Sequence, residues 1–220
     1  ISKQEDLKKK FKEENKFLFI PCDLAQSAEM AQAVQKIQES NETIDGIIHN
    51  AAIAKGGLWS ANYEDFLETQ KVNVAAPFFL TKLLLPILSK KTSIILISST
   101  RANMSQEDTE SYSASKGAIN ALCHAMSITL SGKARVNAIS PGWIDTKYCR
   151  KEDESTHLSL EDHIQHPSKR VGTPFDIAKA VKFLLDDEND FINGENITID
   201  GGMSKMMIYH NDYGWRYEQK

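Results

Sequence analysis

Short runs of aliphatic and β-branched residues alternate along the chain with longer stretches in which apolar residues recur every three or four positions. The short runs predict strands at Phe17–Cys22, Asp45–His49, Ser93–Ile97, Ala134–Ile139 and Asn196–Asp200. The longer stretches predict helices at Gln4–Glu14, Ser27–Glu39, Leu58–Ser89, Tyr112–Leu130 and Pro174–Leu185, with caps at Asn62, at Ser111 or a neighbour, and at Thr173. Alternating strands and helices predict the α/β class with a parallel sheet.

Composition excludes several classes of protein. The chain has 220 residues, of which 41% are hydrophobic and 25% charged, as expected for one domain spanning residues 1–220. Its net charge of −4 does not favour nucleic acid or an anionic membrane as a partner. No apolar run reaches the ~18 residues of a membrane span. The three widely spaced cysteines indicate no disulfide framework and predict a cytoplasmic protein.

Polar or turn-forming residues follow four of the predicted strands. They are Asp23, Asn50, Ser99 and Gly142. Ligands of an open parallel sheet bind beyond the carboxyl ends of its strands, so we expect these four positions to border one crevice.

One stretch of the chain carries a pattern suited to proton transfer. Tyr112 and Lys116 lie four residues apart on one face of a predicted helix, and Ser99 follows a buried strand. A phenol beside an ammonium, facing a hydroxyl, suits acid–base chemistry. By itself, the Tyr112–Lys116 pair is better explained as a surface tyrosine and a surface lysine, which are common on any helix.

An ordered set of motifs over residues 17–204 resembles the short-chain dehydrogenase/reductase family. Tyr112-Ser-Ala-Ser-Lys116 matches the family's Tyr-x-x-x-Lys motif, and Ser99 lies thirteen residues before the tyrosine, as the family's catalytic serine usually does. Asn73 falls where the family has its catalytic asparagine. The segments His49–Ala52, Pro141–Thr146 and Thr198–Gly202 resemble further family motifs.

The resemblance implies a Rossmann-like, doubly wound sheet in three α/β/α layers and NAD or NADP as cofactor. It implies catalytic roles for Ser99, Tyr112, Lys116 and Asn73, with Lys116 and the oxidised nicotinamide lowering the pKa of Tyr112. It implies cofactor contacts from Asp23, Leu24, Asn50, Ala51, Ala52, Tyr112, Lys116, Pro141, Gly142, Ile144 and Thr146. Residue-level alternatives are an N-cap role for Asp23, a helix kink at Asn73, since Pro77 follows it, and a plain loop position for Thr146.

Substrate contacts are predicted at Arg101 and Trp143, which flank the serine and the Pro-Gly turn. Arg101 can bind a carboxylate, but an ion pair with Glu107, Asp108 or Glu110 is the favoured alternative. No metal is expected, because His157, His163 and His166 belong to no recognisable ligand pattern.

The predicted activity is interconversion of a small secondary alcohol and its ketone. A 3-oxoacyl carrier-protein reductase and a sugar or polyol dehydrogenase are both open, and the rival class is a dehydrogenase-like binding or scaffold protein. The family pairs subunits through the helices of Asn62 and Tyr112. A stripe of small residues at Gly117, Ala118, Ala121 and Ala125 therefore predicts a homodimer or homotetramer, or else packing within one chain.

The family's glycine-rich turn, which binds the pyrophosphate, has no counterpart in this sequence. In the strand order 3-2-1-4-5-6, the strands predicted at residues 17–22 and 45–49 correspond to strands three and four, which are not neighbours. We therefore expect the first strand-helix-strand to be missing and the chain to be the later part of a longer polypeptide. The alternative is a truncated chain that folds differently and binds no dinucleotide.

Overall fold

A computed structural model describes residues 18–40, 43–146 and 158–218. Its sheet has four strands in the order β1-β2-β3-β4, and every neighbouring pair is parallel. The strands are β1 (Ile44–His49), β2 (Leu88–Ile97), β3 (Ala134–Pro141) and β4 (Asn196–Ile199). The helices of the described ranges are α1 (Ser27–Gln38), α2 (Tyr63–Gln70), α3 (Ala76–Leu84), α4 (Glu110–Thr129), α5 (Leu160–Ile164) and α6 (Pro174–Leu185). A π turn (Lys71–Ala75) joins α2 to α3, and further short 3₁₀ turns connect other elements.

The apolar run in β2 lies between two layers of helices. Ile94 and Leu96 pack on one face of the sheet with residues of α1, α3 and α4, among them Val34, Leu84, Ile119 and Met126. Ile95 packs on the opposite face with Ile139 of β3 and Leu184 of α6. Successive strand residues point to opposite faces, so a continuous apolar run needs both faces covered. The three-layer α/β/α prediction is confirmed.

Two helices begin as their sequences predict. The Asn62 side chain accepts from the Asp65 amide at 2.9 Å, and the Asp65 carboxylate accepts from the Asn62 amide at 3.2 Å. Thr173 and Asp176 form the same reciprocal box at the start of α6. Each box provides partners for amides that a helix leaves unpaired in its first turn.

Three predictions about secondary structure are wrong: one strand, one helix end and one helix cap. Residues 18–22 form no strand, because a parallel strand exists only through pairing and no described strand lies beside them. The helix predicted through Ser89 gives way to β2 at Leu88, after a 3₁₀ turn that contains Pro86. The cap predicted at Ser111 or a neighbour is also wrong: the N-cap position is Thr109, whose side chain makes no capping hydrogen bond, and Ser111 lies inside α4, where its hydroxyl donates to the carbonyl of Gly56.

The helix predicted at Gln4–Glu14 lies outside the described residues. Across the described ranges, no helix combines the length and apolar character needed to cross a membrane.

Candidate active site

Strand β2 and helix α4 bring three predicted residues together. Ser99 follows β2, and Tyr112 lies in the first turn of α4, one turn before Lys116. The Lys116 ammonium donates to the carbonyl of Ile97 at 2.7 Å and lies 5.3 Å from the centre of the Tyr112 ring. The Ser98 hydroxyl donates to the carbonyl of Lys116 at 3.1 Å, which joins the end of β2 to the helix.

Ser99 and Tyr112 open onto the same cleft of about 650 Å³ at the carboxyl end of the sheet. Trp143 and Ile144, which follow β3, form part of its wall. Lys116 does not line the cleft. It is only 3% exposed and lies behind Tyr112. The arrangement places two hydroxyl groups at the cleft surface and an ammonium beneath them.

Burial is the largest cause of the pKa shifts of Tyr112 and Lys116. Burial raises the pKa of Tyr112, and this effect exceeds the lowering by a hydrogen bond from Ser99 and by the charge of Arg101. Burial also lowers the pKa of Lys116 to about 8. We expected Lys116 to lower the pKa of Tyr112, but the cation that lowers it in the structure is Arg101.

Asn73 lies in the π turn and is 2% exposed. Its amide nitrogen donates to the carbonyl of Ile53 and to the hydroxyl of Ser115, both at 2.9 Å, and its oxygen accepts from the amide of Ile53 at 2.9 Å. Ser115 in turn donates to the carbonyl of Tyr112 at 2.7 Å. The Asn73 side chain therefore ties the loop after β1 to the first turn of α4.

Gly142 lines the cleft where β3 passes close to the residue that follows β4. A Cβ atom at position 142 would lie 2.6 Å from the Cβ and 2.8 Å from the Cα of Asp200, so only glycine fits without displacement. Pro141 is half-buried and Thr146 is exposed, and neither belongs to the cleft lining. Their predicted cofactor contacts stay predictions.

The remaining predicted cofactor residues lie outside this lining. Asn50, Ala51 and Ala52 are exposed after β1. Asp23 is not the N-cap of α1: that position is Gln26, and the Asp23 carboxylate accepts instead from the amide of Ala25 at 2.9 Å. Contacts of Asp23, Leu24 and Asn50–Ala52 with a cofactor also stay predictions.

The structure adds cleft residues that the motifs did not reveal. Asp200 precedes a Gly-Gly turn, and its carboxylate accepts from the amides of Gly202 at 2.9 Å and Ser204 at 2.7 Å. Asp108 has a left-handed backbone with φ of 60°. Among the described residues, the additional lining residues are Ala54, Gly56, Thr100, Met104, Ser105, Gln106, Asp108, Thr109, Asp200 and Met203. Their positions depend on contacts distant in sequence, so no local pattern marks them.

Asp108 and Glu110 fasten the later part of the loop after β1 onto the start of α4. Asp108 accepts from the amides of Trp59 at 2.9 Å and Ser60 at 3.3 Å, and Glu110 accepts from the amide of Leu58 at 3.0 Å. A hydrogen bond from the Ser60 side chain, together with those from the Trp59 and Ser60 amides, lowers the pKa of Asp108. Arg101 forms no ion pair with Glu107, Asp108 or Glu110 in the described part of the chain, so the ion pair predicted with one of these acids is wrong.

No cluster of potential metal ligands occurs in the part of the chain that the structure describes. The amide of Val171 donates to His163, and His166 is buried against Trp143 with ring centres 6.0 Å apart. His157 lies outside the described residues.

The sequence is similar to a known protein family and to curated oxidoreductases. A family model described as enoyl-(acyl carrier protein) reductase matches residues 2–204. An uncharacterised oxidoreductase of Thermotoga maritima is 38% identical over 198 residues, covering 87% of this chain and 77% of the relative. A 3-oxoacyl-[acyl-carrier-protein] reductase of the same organism is 29% identical over 179 residues, covering 80% and 72%.

Solved structures show the same likeness. An apo SCOR enzyme from Clostridium thermocellum is 39% identical with a TM-score of 0.81, covering 90% of this chain and 78% of that one. A blue fluorescent protein from a metagenomic library, solved in complex with NADPH, is 26% identical with a TM-score of 0.74, covering 83% and 74%.

Proposed function

The chain belongs to the short-chain dehydrogenase/reductase family, and we propose that it interconverts a secondary alcohol and a ketone with NAD or NADP as cofactor. The observation that carries this proposal is the shared cleft of Ser99 and Tyr112, with the Lys116 ammonium directly behind the phenol. These groups are the donors that a carbonyl oxygen needs during reduction.

The Lys116 donors beneath the cleft surface suit the nicotinamide end of a dinucleotide. The Lys116 ammonium has three N–H groups, and among the described residues one of them has an acceptor, the carbonyl of Ile97. The other two can serve ribose hydroxyls. When bound, the dinucleotide supplies or accepts the hydride. Gly142 and Ile144 would border the nicotinamide, as the family resemblance implies.

Tyr112 is the proposed general acid and base. Its raised pKa keeps the phenol protonated at neutral pH, so it can donate a proton to the oxygen of a ketone that is being reduced. For alcohol oxidation the phenolate must form first. We therefore expect the oxidation rate to increase between pH 7 and pH 10, and a flat pH profile would contradict this role.

Ser99 and Asn73 have different proposed roles. The Ser99 hydroxyl donates to the substrate oxygen and stabilises the charge that develops on it. Asn73 is a positioning residue, because all of its side-chain donors and acceptors are bound to Ile53 and Ser115. The family resemblance also implies that the main-chain oxygen of Asn73 holds a water that links Lys116 to solvent, and this role is part of the proposal.

Two substrate classes inside the family remain in the proposal. A 3-oxoacyl carrier-protein substrate is supported by a relative of that name. A sugar or polyol is supported by a structural neighbour, an aldohexose dehydrogenase from Thermoplasma acidophilum, which is 26% identical with a TM-score of 0.80 and covers 90% of this chain.

Assembly into a homodimer or homotetramer is also proposed. Large apolar side chains on α2 and in the preceding loop are exposed, with 81% of Trp59, 72% of Tyr63 and 38% of Phe66 accessible. A stable interface between copies would cover such side chains.

Replacement of Tyr112 by phenylalanine tests the proposal. Turnover of a panel of ketones, followed by NAD(P)H absorbance, should fall about 100-fold or more, because general acid–base catalysis contributes that much. Nucleotide binding, followed by cofactor fluorescence, should persist. Tyr63→Phe is the matched control, since Tyr63 is exposed and lies outside the cleft lining.

Unchanged turnover in Tyr112→Phe would exclude Tyr112 as the acid. If the wild type binds nucleotide but reduces no carbonyl compound on the panel, the rival class, a dehydrogenase-like binding or scaffold protein, is correct.

A further inference from the structure

Arg101 places a positive charge in the wall of the cleft. It lies two residues after Ser99, in the 3₁₀ turn Thr100–Ala102, and its backbone amide donates to the Ser99 hydroxyl oxygen at 3.1 Å. The residue is half-buried and lines the cleft beside Ser99 and Tyr112. Its charge lowers the pKa of Tyr112, as expected for a guanidinium near the phenol.

The partner of this guanidinium is a neutral group. One terminal nitrogen of Arg101 donates to the side-chain oxygen of Gln106, which also lines the cleft. Among the described residues, Arg101 makes no ion pair. A half-buried cation with only an amide for a partner lacks the compensation that charged groups normally have away from water.

The two carboxylates of the cleft lining, by contrast, are already bound. Asp108 accepts from the amides of Trp59 and Ser60. Asp200 accepts from the amides of Gly202 and Ser204. Each acid therefore has its own donors in the fold, and neither forms an ion pair with Arg101. The charge of Arg101 remains available to a ligand.

We propose that the cleft selects substrates that carry a carboxylate near the reacting carbon, and that Arg101 binds this carboxylate. The inference rests on the proposed function and names the substrate class of the same site. A guanidinium has five N–H donors in a planar fork. With one N–H held by Gln106, the remaining donors can bind both oxygens of a carboxylate while Ser99 and Tyr112 face the hydroxyl or carbonyl oxygen.

The chemistry leaves the carboxylate unchanged. In the oxidation of a hydroxy acid, the carbinol carbon loses a hydride to the oxidised nicotinamide. Its hydroxyl group loses a proton to the Tyr112 phenolate, so a C=O bond replaces the C–H and O–H bonds. Because Arg101, Ser99 and Tyr112 line the same cleft, Arg101 selects substrates whose carboxylate lies at the matching distance from the reacting carbon.

A pair of uncharged and charged ligands of equal size tests the inference. Binding of 3-hydroxybutyrate and 3-hydroxybutyramide is measured by isothermal titration calorimetry, without nucleotide and with NADH, which cannot oxidise either ligand. The wild type should bind the carboxylate about 10- to 100-fold more tightly than the amide, the range expected for hydrogen bonds between charged groups. In Arg101→Gln the preference should disappear while amide binding is unchanged.

Three further variants sharpen the result. Arg101→Lys should keep a smaller preference, because an ammonium is a point charge without the planar fork. Gln106→Ala should reduce the preference several-fold by freeing the guanidinium to rotate. Lys133→Gln removes an equal charge immediately before β3, at the other end of the sheet from the cleft, and should leave the preference unchanged.

The outcomes separate the inference from the proposed function. If neutral ketones are turned over but the preference is absent, or is the same in Arg101→Gln as in the wild type, the inference is wrong and the proposed function stands. If Arg101→Gln shifts the pH profile equally for both ligands without changing their ratio, Arg101 acts on Tyr112 alone and the inference is again wrong. If the carboxylate binds in an Arg101-dependent way without any turnover, the inference holds and the proposed function fails.

Discussion

Replacing Asn73 with alanine removes one buried side chain that connects two walls of the cleft. The side chain makes three hydrogen bonds, two with the backbone of Ile53 and one with the hydroxyl of Ser115. Alanine makes none of them. The amide and carbonyl of Ile53 lose their partners, and the link from the loop after β1 to α4 is lost.

The size of the effect follows from these contacts. Each hydrogen bond contributes about 1 kcal/mol net, and a buried group left without a partner costs about 1–3 kcal/mol. Because Ile53 is only half-buried, water can replace part of the loss, and we expect Asn73→Ala to lower the free energy of unfolding by about 2–4 kcal/mol. At a urea dependence of about 2 kcal/mol per molar, the unfolding midpoint moves down by about 1–2 M.

Urea unfolding followed by circular dichroism measures this change, with Asn103→Ala as the matched control. Asn103 is exposed and its side chain makes no hydrogen bond within the described residues, so its replacement should change stability by less than about 0.5 kcal/mol. A loss in Asn73→Ala no larger than in the control would refute the reasoning.

A second variant at the same position separates hydrogen bonding from shape. Asn73→Asp keeps the acceptor for the Ile53 amide but loses both donors and buries a carboxylate. Burial raises the pKa of such a group, so its destabilising effect is present above that pKa and fades as the carboxyl becomes protonated. Asn73→Asp should therefore be less destabilised relative to wild type at pH 4 than at pH 8, and equal losses would contradict this account.

Four other changes test separate parts of the structure. Burial lowers the pKa of Lys116 from 10.5 to about 8, so the unfolded chain binds more protons between these values and stability should rise with pH across them. Lys116→Met should remove that rise in urea unfolding at pH 7 to 10, and an equal rise in both proteins would contradict it. A hydrogen bond from Arg170 holds the pKa of Asp176 well below its usual range, so its contribution is present above about pH 4 and lost as the pH falls. The difference in Tm between wild type and Asp176→Asn should accordingly shrink from pH 6 to pH 3. Gly142→Ala should lower Tm and activity, because the new Cβ would lie 2.6 Å from the Cβ of Asp200. At Gly117, by contrast, no atom lies within 4 Å of an added Cβ. Gly117→Ala should stabilise the chain by about 0.5–1 kcal/mol, and a fall in oligomer mass by light scattering would show instead that position 117 lies in an interface.

The features that sequence reasoning predicted correctly depend on residues close together in the chain. The apolar run of β2 predicts a strand covered on both faces, and the Asn62–Asp65 pair predicts the start of a helix. Both predictions are correct because each depends on residues only a few positions apart in the sequence. Residues 18–22 carry an equally apolar run, yet they form no strand, since a strand also needs a neighbour with which to pair.

The sequence by itself determined the α/β class and the order of the motifs that carry Ser99, Tyr112 and Lys116, because hydrophobic periodicity and residue spacing are local properties. Only the tertiary structure decided which charges meet at the cleft. The Asp108 carboxylate accepts hydrogen bonds from backbone amides of a loop about fifty residues earlier in the chain. The Arg101 guanidinium donates instead to the neutral side chain of Gln106. Such pairings depend on packing between distant segments, which no local pattern encodes.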